Sequence, residues 1–392
     1  MKLSRLLLCI IIIMVFLCTG CYDIRELESI AIVTGIAVDS TQHPNMIKFS
    51  VQIAKAEAIA GKGGGEKGGG SGQNSPVMMM DATAYDLEDA LHSLRHDNSR
   101  ELFLHHNQVV IFGKALAKQG IGSYLDALLR GHESRLEVPF VVADGDAKEI
   151  LETELELEKI SAVGIQRMIR HKAEISKLFG TNMLLFAAKM MENTASSVAP
   201  IIKVMDEEKT KRLSLTGLAV FKDDKMVGEL NEPQSRGFAW LMGKIKASTI
   251  TIDTKKGKAE LEIISSSSKI KPNFNDGQKL DIKAEIEGFF DITELRGYEN
   301  IEMEELLDLL VRMTKQEIQK LIMSCFKTCQ NLNTDIFSFG EYIRRHHPNQ
   351  WEKLRPRWDD IFPAINLSLE IDVTIEDTGK ISLPPNLKGE KA

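Results

Sequence analysis

Ser29–Asp39 reads SIAIVTGIAVD and Met46–Ala54 reads MIKFSVQIA. The first run is β-branched, apolar and closed by an aspartate, which predicts a strand. The second alternates apolar and polar residues, the pattern of a half-buried strand. Ser40–Asn45 between them is turn-like, so the two runs predict a hairpin.

Working outward, the chain becomes mixed α and β beyond Pro76. Strands are expected at Val77–Thr83, Asn107–Phe112 and Leu136–Ala143. Helices are expected at Tyr85–His96, Lys114–Arg130, Ala147–Leu151, Leu157–Lys177 and Met183–Glu192. After the charged stretch Met205–Arg212, paired strands Ser214–Phe221 and Lys225–Leu230 flank Asp223-Asp224. A short helix at Gln234–Met242 follows, then strands at Thr249–Asp253, Lys258–Ile270 and Lys279–Asp291. Met303–Leu332 carries Leu306, Leu310, Met313, Ile318, Leu321, Ile322 and Phe326 at helical spacing, and Ile365–Ile375 closes the chain as a long alternating strand. This is a mixed α/β, α+β protein of more than one domain, with mixed sheets and flanking helices. The division is an N-terminal α/β domain at 21–205 and a C-terminal α+β domain at 212–385, the latter divisible into 212–291 and 292–385.

The N-terminus has its own logic. Lys2 and Arg5 precede an apolar run, Leu6–Leu17, too short to span a bilayer as a helix. Small residues Thr19 and Gly20 then stand before Cys21. Residues 1–20 read as a secretory signal peptide, and the end of it resembles a bacterial lipobox, with Cys18 where that pattern usually has Leu. The resemblance implies a diacylglyceryl group on the Cys21 thiol, with palmitate-type acyl chains, and an extracytoplasmic protein tethered to a membrane. A single acyl chain binds membranes only marginally, so stable anchoring takes more than one. Loss of Lys2 and Arg5 with the signal makes a formal net charge of −7 more negative still, which gives no support for nucleic-acid binding.

Chemistry-bearing patterns are sparse. Gly63, Gly65 and Gly68 have dinucleotide-fingerprint spacing, but more glycine and then Ser75-Pro76 follow where a helix must open; 61–75 has the composition of a flexible loop. His92 and His96 are four apart on a predicted helix, yet Ser93 stands where a zinc hydrolase needs glutamate; solvated histidines are expected. Arg344-Arg345-His346-His347 reads as a cationic helix C-terminus, and Ser265–Ser268 as a solvated face or bulge within a strand. Glu152–Glu158 (ETELELE) reads as a solvated helix start. Cys325 and Cys329, four apart on the longest helix, are expected as two buried thiols. Beyond the signal peptide no nucleophile elbow, phosphate loop or Cys-x-x-Cys pair occurs, so neither a catalytic residue nor a cofactor nor a metal site is expected.

Four segments, in order, resemble the Ger(x)C family, the lipoprotein C subunit of bacterial spore germinant receptors. They are Cys21-Tyr22-Asp23-Ile24-Arg25-Glu26-Leu27, with Tyr22 in place of a usual Trp; the strand Ile32–Asp39; Gly217–Phe221 with Gly228 and Trp240; and Asp335-Ile336-Phe337-Ser338-Phe339-Gly340 with Trp351 and Trp358. The resemblance implies the family's own mixed α/β arrangement. It also implies a place in the spore inner membrane beside two integral-membrane subunits of A and B type, and a part in nutrient-triggered germination. Asp335, Phe337, Phe339, Gly340, Trp351 and Trp358 stand out as a candidate contact surface for a sibling subunit, aromatics being enriched at interfaces, against the plainer reading that they pack a C-terminal subdomain. A second hypothesis is a lipid-anchored solute-binding protein that captures a nutrient itself. The regular βα alternation such proteins need is confined to Pro76–Ala143.

Overall fold

The computed structural model describes residues 29–55, 75–131, 135–175, 181–194, 196–207, 210–275, 279–298 and 301–377. The signal segment, Cys21 and nearly all of the glycine-rich stretch 61–75 lie outside the described residues.

A large sheet takes up the first half of the chain. Its strands are β1 (Ile30–Ser40), β2 (Ile47–Ala54), β3 (Val77–Ala84), β4 (Glu101–Phe103), β5 (Val109–Gly113), β6 (Phe140–Ala143), β7 (Ser196–Glu207), β8 (Thr210–Lys222) and β9 (Lys225–Asn231). They lie in the order β3-β2-β1-β5-β6-β7-β8-β9, with the short β4 beside the start of β1. The expected hairpin is present: β1 and β2 pair antiparallel from Ser40↔Ile47 to Val33↔Ile53. The strands β1, β5, β6 and β7 run parallel, and parallel strands need cover on both faces. The period-two alternation supplies it. Ala37, Val109, Ile111, Val141 and Ile202 point into one apolar core, while Ile36, Val38, Val110, Phe112, Val142 and Ile201 point into another. Helices α1 (Leu87–His96), α2 (Lys114–Gln119), α3 (Gly122–Arg130) and α6 (Met183–Met190) cover the second face; α4 (Ala147–Glu152) and α5 (Ser161–Ile175) cover the first.

Four local features differ from the sequence expectation. The helix expected over Lys114–Arg130 is two helices, because Gly120 adopts φ 132° and ends the first. The Ile121 and Gly122 amides then bond the backbone and carboxylate of Asp224 in the β8–β9 turn. The strand expected from Leu136 starts only at Phe140; Pro139, which has no amide to donate, makes an isolated bridge to Asn182. Ser196–Glu207, with Pro200 in its middle, is a full strand that apolar periodicity did not mark. The charged stretch 205–212, expected as a junction, is the tip of the β7–β8 hairpin, and both of its strands belong to the large sheet.

The second sheet has four strands, β10 (Thr249–Thr254), β11 (Gly257–Asn275), β12 (Lys279–Arg296) and β13 (Asn366–Asp377), in sequence order, with β12 and β13 parallel. Leu280, Ile282, Ala284, Ile286 and Phe290 of β12 face inward. The outer face is polar, with ion pairs such as Lys283–Glu370 and Lys271–Glu285 across strands. Helix α8 (Met303–Asn331) lays Leu306, Leu310, Ile318, Ile322, Cys325 and Cys329 on the inner side, and α7 (Glu232–Leu241) bridges it to the large sheet. Helix α7 starts in a reciprocal cap, in which the Asn231 side chain accepts from the Gln234 amide and the Gln234 side chain accepts from the Asn231 amide. Where α7 crosses α8, a Cβ on Gly237 would run into the Leu321 carbonyl. One continuous core therefore reaches from β5 and β6 through Phe238 and Trp240 to α8 and the small sheet.

Gly237→Ala is expected to push α7 off α8 and to cost about 1–3 kcal/mol, in the range of overpacked cores; urea unfolding of wild type and variant measures it.

Candidate functional site

Helix α8 ends at Asn331, and Asn333 turns the chain at φ 50°. The next residues, Asp335-Ile336-Phe337-Ser338, make a tight turn into α9 (Phe339–His346), with Ser338 at φ 58°. Asp335 is 3% exposed. Its carboxylate accepts hydrogen bonds from the Phe339 amide at 3.0 Å and the Gly340 amide at 2.9 Å, two of the donors that a helix start leaves without partners. Burial pushes its pKa up to about 7 against the pull of those two amides; Lys189 lowers it and Glu192 raises it.

The turn is also a clasp between the halves of the chain. Lys189 of α6 donates to the Ser338 hydroxyl at 2.6 Å, and Ser338 donates to Glu192 at 3.1 Å. Lys189 and Glu192 pair at 3.0 Å. Gly340 leaves no room for a side chain: a Cβ would meet Thr194 at 2.6 Å and the Trp351 ring at 2.9 Å. Below the turn, Phe337 stacks on Phe339 at 5.3 Å, and Phe326 touches both. Trp351 of α10 (Pro348–Leu354) meets Trp358 of α11 (Trp358–Ile361) edge to face at 5.3 Å. On α9, Glu341 holds Arg344 and Arg345, and its pKa falls to about 2, chiefly through the hydrogen bond from Arg344.

All six residues singled out from the sequence therefore come together, but inside the molecule. Asp335, Phe337, Phe339, Gly340, Trp351 and Trp358 are buried against one another. This corrects the reading of them as a contact surface, because a side chain spent on intramolecular packing has none left to offer a partner. The residues that sequence reading missed here are Lys189 and Glu192, and only their spacing (i, i+3) at the end of α6 hinted at pairing.

Further buried polar groups lie on the large sheet. The Asp39 carboxylate accepts from the amides of Ala147 and Lys148 at 2.7 and 3.0 Å, and so caps α4 from across the sheet; burial raises its pKa. Gln52 uses both ends of its amide. It donates to Ser161 at 2.8 Å and the Leu151 carbonyl at 2.9 Å, and accepts from Thr34 and the Ala162 amide. These groups fix α4 and α5 to the sheet. Among the described residues, no group of three or more His, Cys, Asp or Glu side chains gathers to hold a metal. His92 and His96 are exposed on α1, and His96 pairs with Asp97. Cys325 and Cys329 are free and buried, and burial pushes the Cys325 thiol up. Ser266 donates to the Ile245 carbonyl after α7 and Ser268 to the Leu241 carbonyl at its end, beside a register shift in β11. No described helix is long and apolar enough to cross a membrane.

Comparison with known proteins decides the family. Residues 23–204 match the spore germination protein N-terminal domain, and residues 216–379 match the spore germination B3/GerAC-like C-terminal domain. The chain belongs to the Ger(x)C family of spore germination proteins. It is 27% identical to spore germination protein KC of Bacillus subtilis (strain 168), over 95% of this chain and 96% of that one. It is 21% identical to spore germination protein A3 of the same organism, over 94% and 97%. The crystal structure of the GerBC protein superposes with a TM-score of 0.58 at 19% identity, covering 90% of this chain and 99% of that one; the likeness establishes a shared fold. The family is one of spore germination proteins and not a known family of enzymes.

The Asp335 turn yields a pH test. Its carboxyl holds a proton up to about pH 7 in the fold and only to about pH 3.8 when unfolded. The native state thus binds more protons in that window, so the stability this group contributes is complete below it and is lost as pH rises toward 7. Asp335→Asn removes the charge and keeps an oxygen acceptor for one of the two amides. Between pH 5 and pH 8 the wild type is expected to lose about 2–3 kcal/mol relative to the variant, read from thermal melts at the two pH values; parallel curves would refute the assignment.

Proposed function

We propose that this chain is a non-catalytic subunit of a spore germinant receptor. It is held on the extracytoplasmic face of the spore inner membrane by a diacylglyceryl group on Cys21 and assembled with integral-membrane subunits of A and B type. The observation that carries this reading is positional. The N-terminal family domain starts at residue 23, directly after the lipobox-like Thr19-Gly20-Cys21, and the C-terminal domain follows it to residue 379. The receptor role, the sibling subunits and the anchor are taken from the family resemblance and the lipobox.

Cys21→Ala is expected to abolish incorporation of labelled fatty acid and to impair germination through this receptor, and a pull-down from spore membranes with the wild-type chain is expected to recover integral-membrane partners that the variant leaves behind. Normal germination with an unacylated variant would overturn the need for an anchor.

The rival reading, direct capture of a nutrient, has one feature in its favour. A hollow of about 540 Å³ lies between α1 and α3, floored by Ile36 and Phe49 and rimmed by Arg95 and Asp126. Calorimetry of the folded chain against amino acids, sugars and nucleosides separates the two readings: an assembly subunit gives no saturable heat, and a binding protein gives a stoichiometric one.

A further inference from the structure

Ten large apolar side chains are exposed among the described residues, and four of them gather in one place. Leu184, Leu185 and Met191 lie on and just after α6, at 44%, 54% and 87% exposure, and Leu136 beside them is 42% exposed. The Leu184 amide donates to the Leu136 carbonyl at 3.1 Å, which locks the two segments together. Helical spacing puts Leu184 and Met191 on one face of α6.

The register of the large sheet gives this patch a direction. Gly35 of β1 stands level with Val109 of β5, Val110 with Phe140 of β6, and Val142 with Ile201 of β7. Leu136 precedes β6, and α6 with Met191 precedes β7. The patch therefore lies at the end of the sheet where all four parallel strands begin, and β1 begins there at Ile30. Only eight peptide steps separate Cys21 from Ser29, a span of at most about 29 Å when fully stretched. The far end of β1 is about 33 Å further on.

We propose that this end of the large sheet faces the bilayer, and that Leu136, Leu184, Leu185 and Met191 rest in its headgroup–acyl boundary. The proposal rests on acylation of Cys21, because the short tether is what brings this end of the sheet to the membrane. It adds a second contact and with it a fixed orientation, since an acylated thiol alone leaves the body free to swivel. Aliphatic and thioether side chains suit a lipid boundary, where burial is non-directional and no polar partner is required.

Leu157 provides an internal control. It is 95% exposed and lines a hollow with Lys211 and Arg212 at the β7–β8 tip, the opposite end of the sheet. The full chain, made with its leader and reconstituted in vesicles of phosphatidylethanolamine and phosphatidylglycerol, is spin-labelled at Leu185→Cys, Met191→Cys or Leu157→Cys; Cys325 and Cys329 are buried. Flotation and mass spectrometry first establish that the chain is acylated and bound. The ratio of oxygen to nickel-chelate collision rates is then expected to be several-fold higher at 185 and 191 than at 157. Equal ratios in floated, acylated protein would overturn the proposal and leave the anchor standing. An unacylated chain that stays with the aqueous fraction would overturn the anchor, and the proposal with it. Labels that are aqueous in vesicles but shielded from both reagents in spore membranes would assign the patch to a protein partner and refute the lipid contact.

Discussion

The crossing of α7 over α8 is the contact on which the two sheets depend. Helix α7 follows directly from β9, the last strand of the large sheet, and its Phe238, Ala239, Trp240 and Leu241 are all buried. Gly237 brings its backbone against Leu321 of α8, and Gln234 donates to Thr328 beside it at 2.8 Å. Trp240 continues the contact to Phe290 of the small sheet at 6.1 Å. Without this crossing each sheet would have to bury its apolar face alone. The small sheet has only one apolar face and one long helix to cover it. Its stability is thus tied to a neighbour through area removed from water, at about 25 cal/mol per Å².

Buried polar groups do a different job in this fold. Asp39, Gln52 and Asp335 each satisfy backbone amides far away in sequence or at the start of a helix. Such bonds add modestly to net stability, but leaving one unmade in the interior is costly. They therefore discriminate between arrangements that apolar packing alone would treat as similar. Asp39 fixes where α4 sits on the sheet, and Asp335 fixes how the chain leaves α8. The Lys189–Ser338–Glu192 clasp then joins α6 to that turn, so the N-terminal and C-terminal segments meet at two separate places.

Much of this was legible in the residues. The strands rich in Val and Ile, the β1–β2 hairpin and α8 all follow from period and composition, because their apolar faces are long enough to register. What escaped notice depended on neighbours distant in sequence. Ser196–Glu207 contains a proline and a charged end, and it is a strand because β6 and β8 lie on either side of it. Gly120 and Gly122 break a helix that periodicity would have continued, and the break is held by Asp224, about a hundred residues later. For the segment from Asp335 to Trp358 the sequence left two readings open, internal packing and a contact surface, and the burial of these side chains agrees with packing. Composition identifies large apolar side chains but cannot say which of them find partners inside the same chain.

The same distinction separates surfaces that merely tolerate water from surfaces that would gain by leaving it. The outer face of the small sheet is covered with ion pairs, and Lys283 alone reaches both Glu285 and Glu370. Exposed pairs of this kind contribute little and are screened by salt, so that face is content in solvent. The start of α6 is otherwise. Asn182 caps the helix by accepting from the Leu185 amide at 2.8 Å, while Met183 and Phe186 are buried beneath it. The helix is thus fixed in rotation by its own core contacts, and Leu184, Leu185 and Met191 point outward because the inward positions are already filled. Exposure there is a consequence of a well-anchored helix, and a rigid apolar surface of this kind loses little conformational entropy when it is covered.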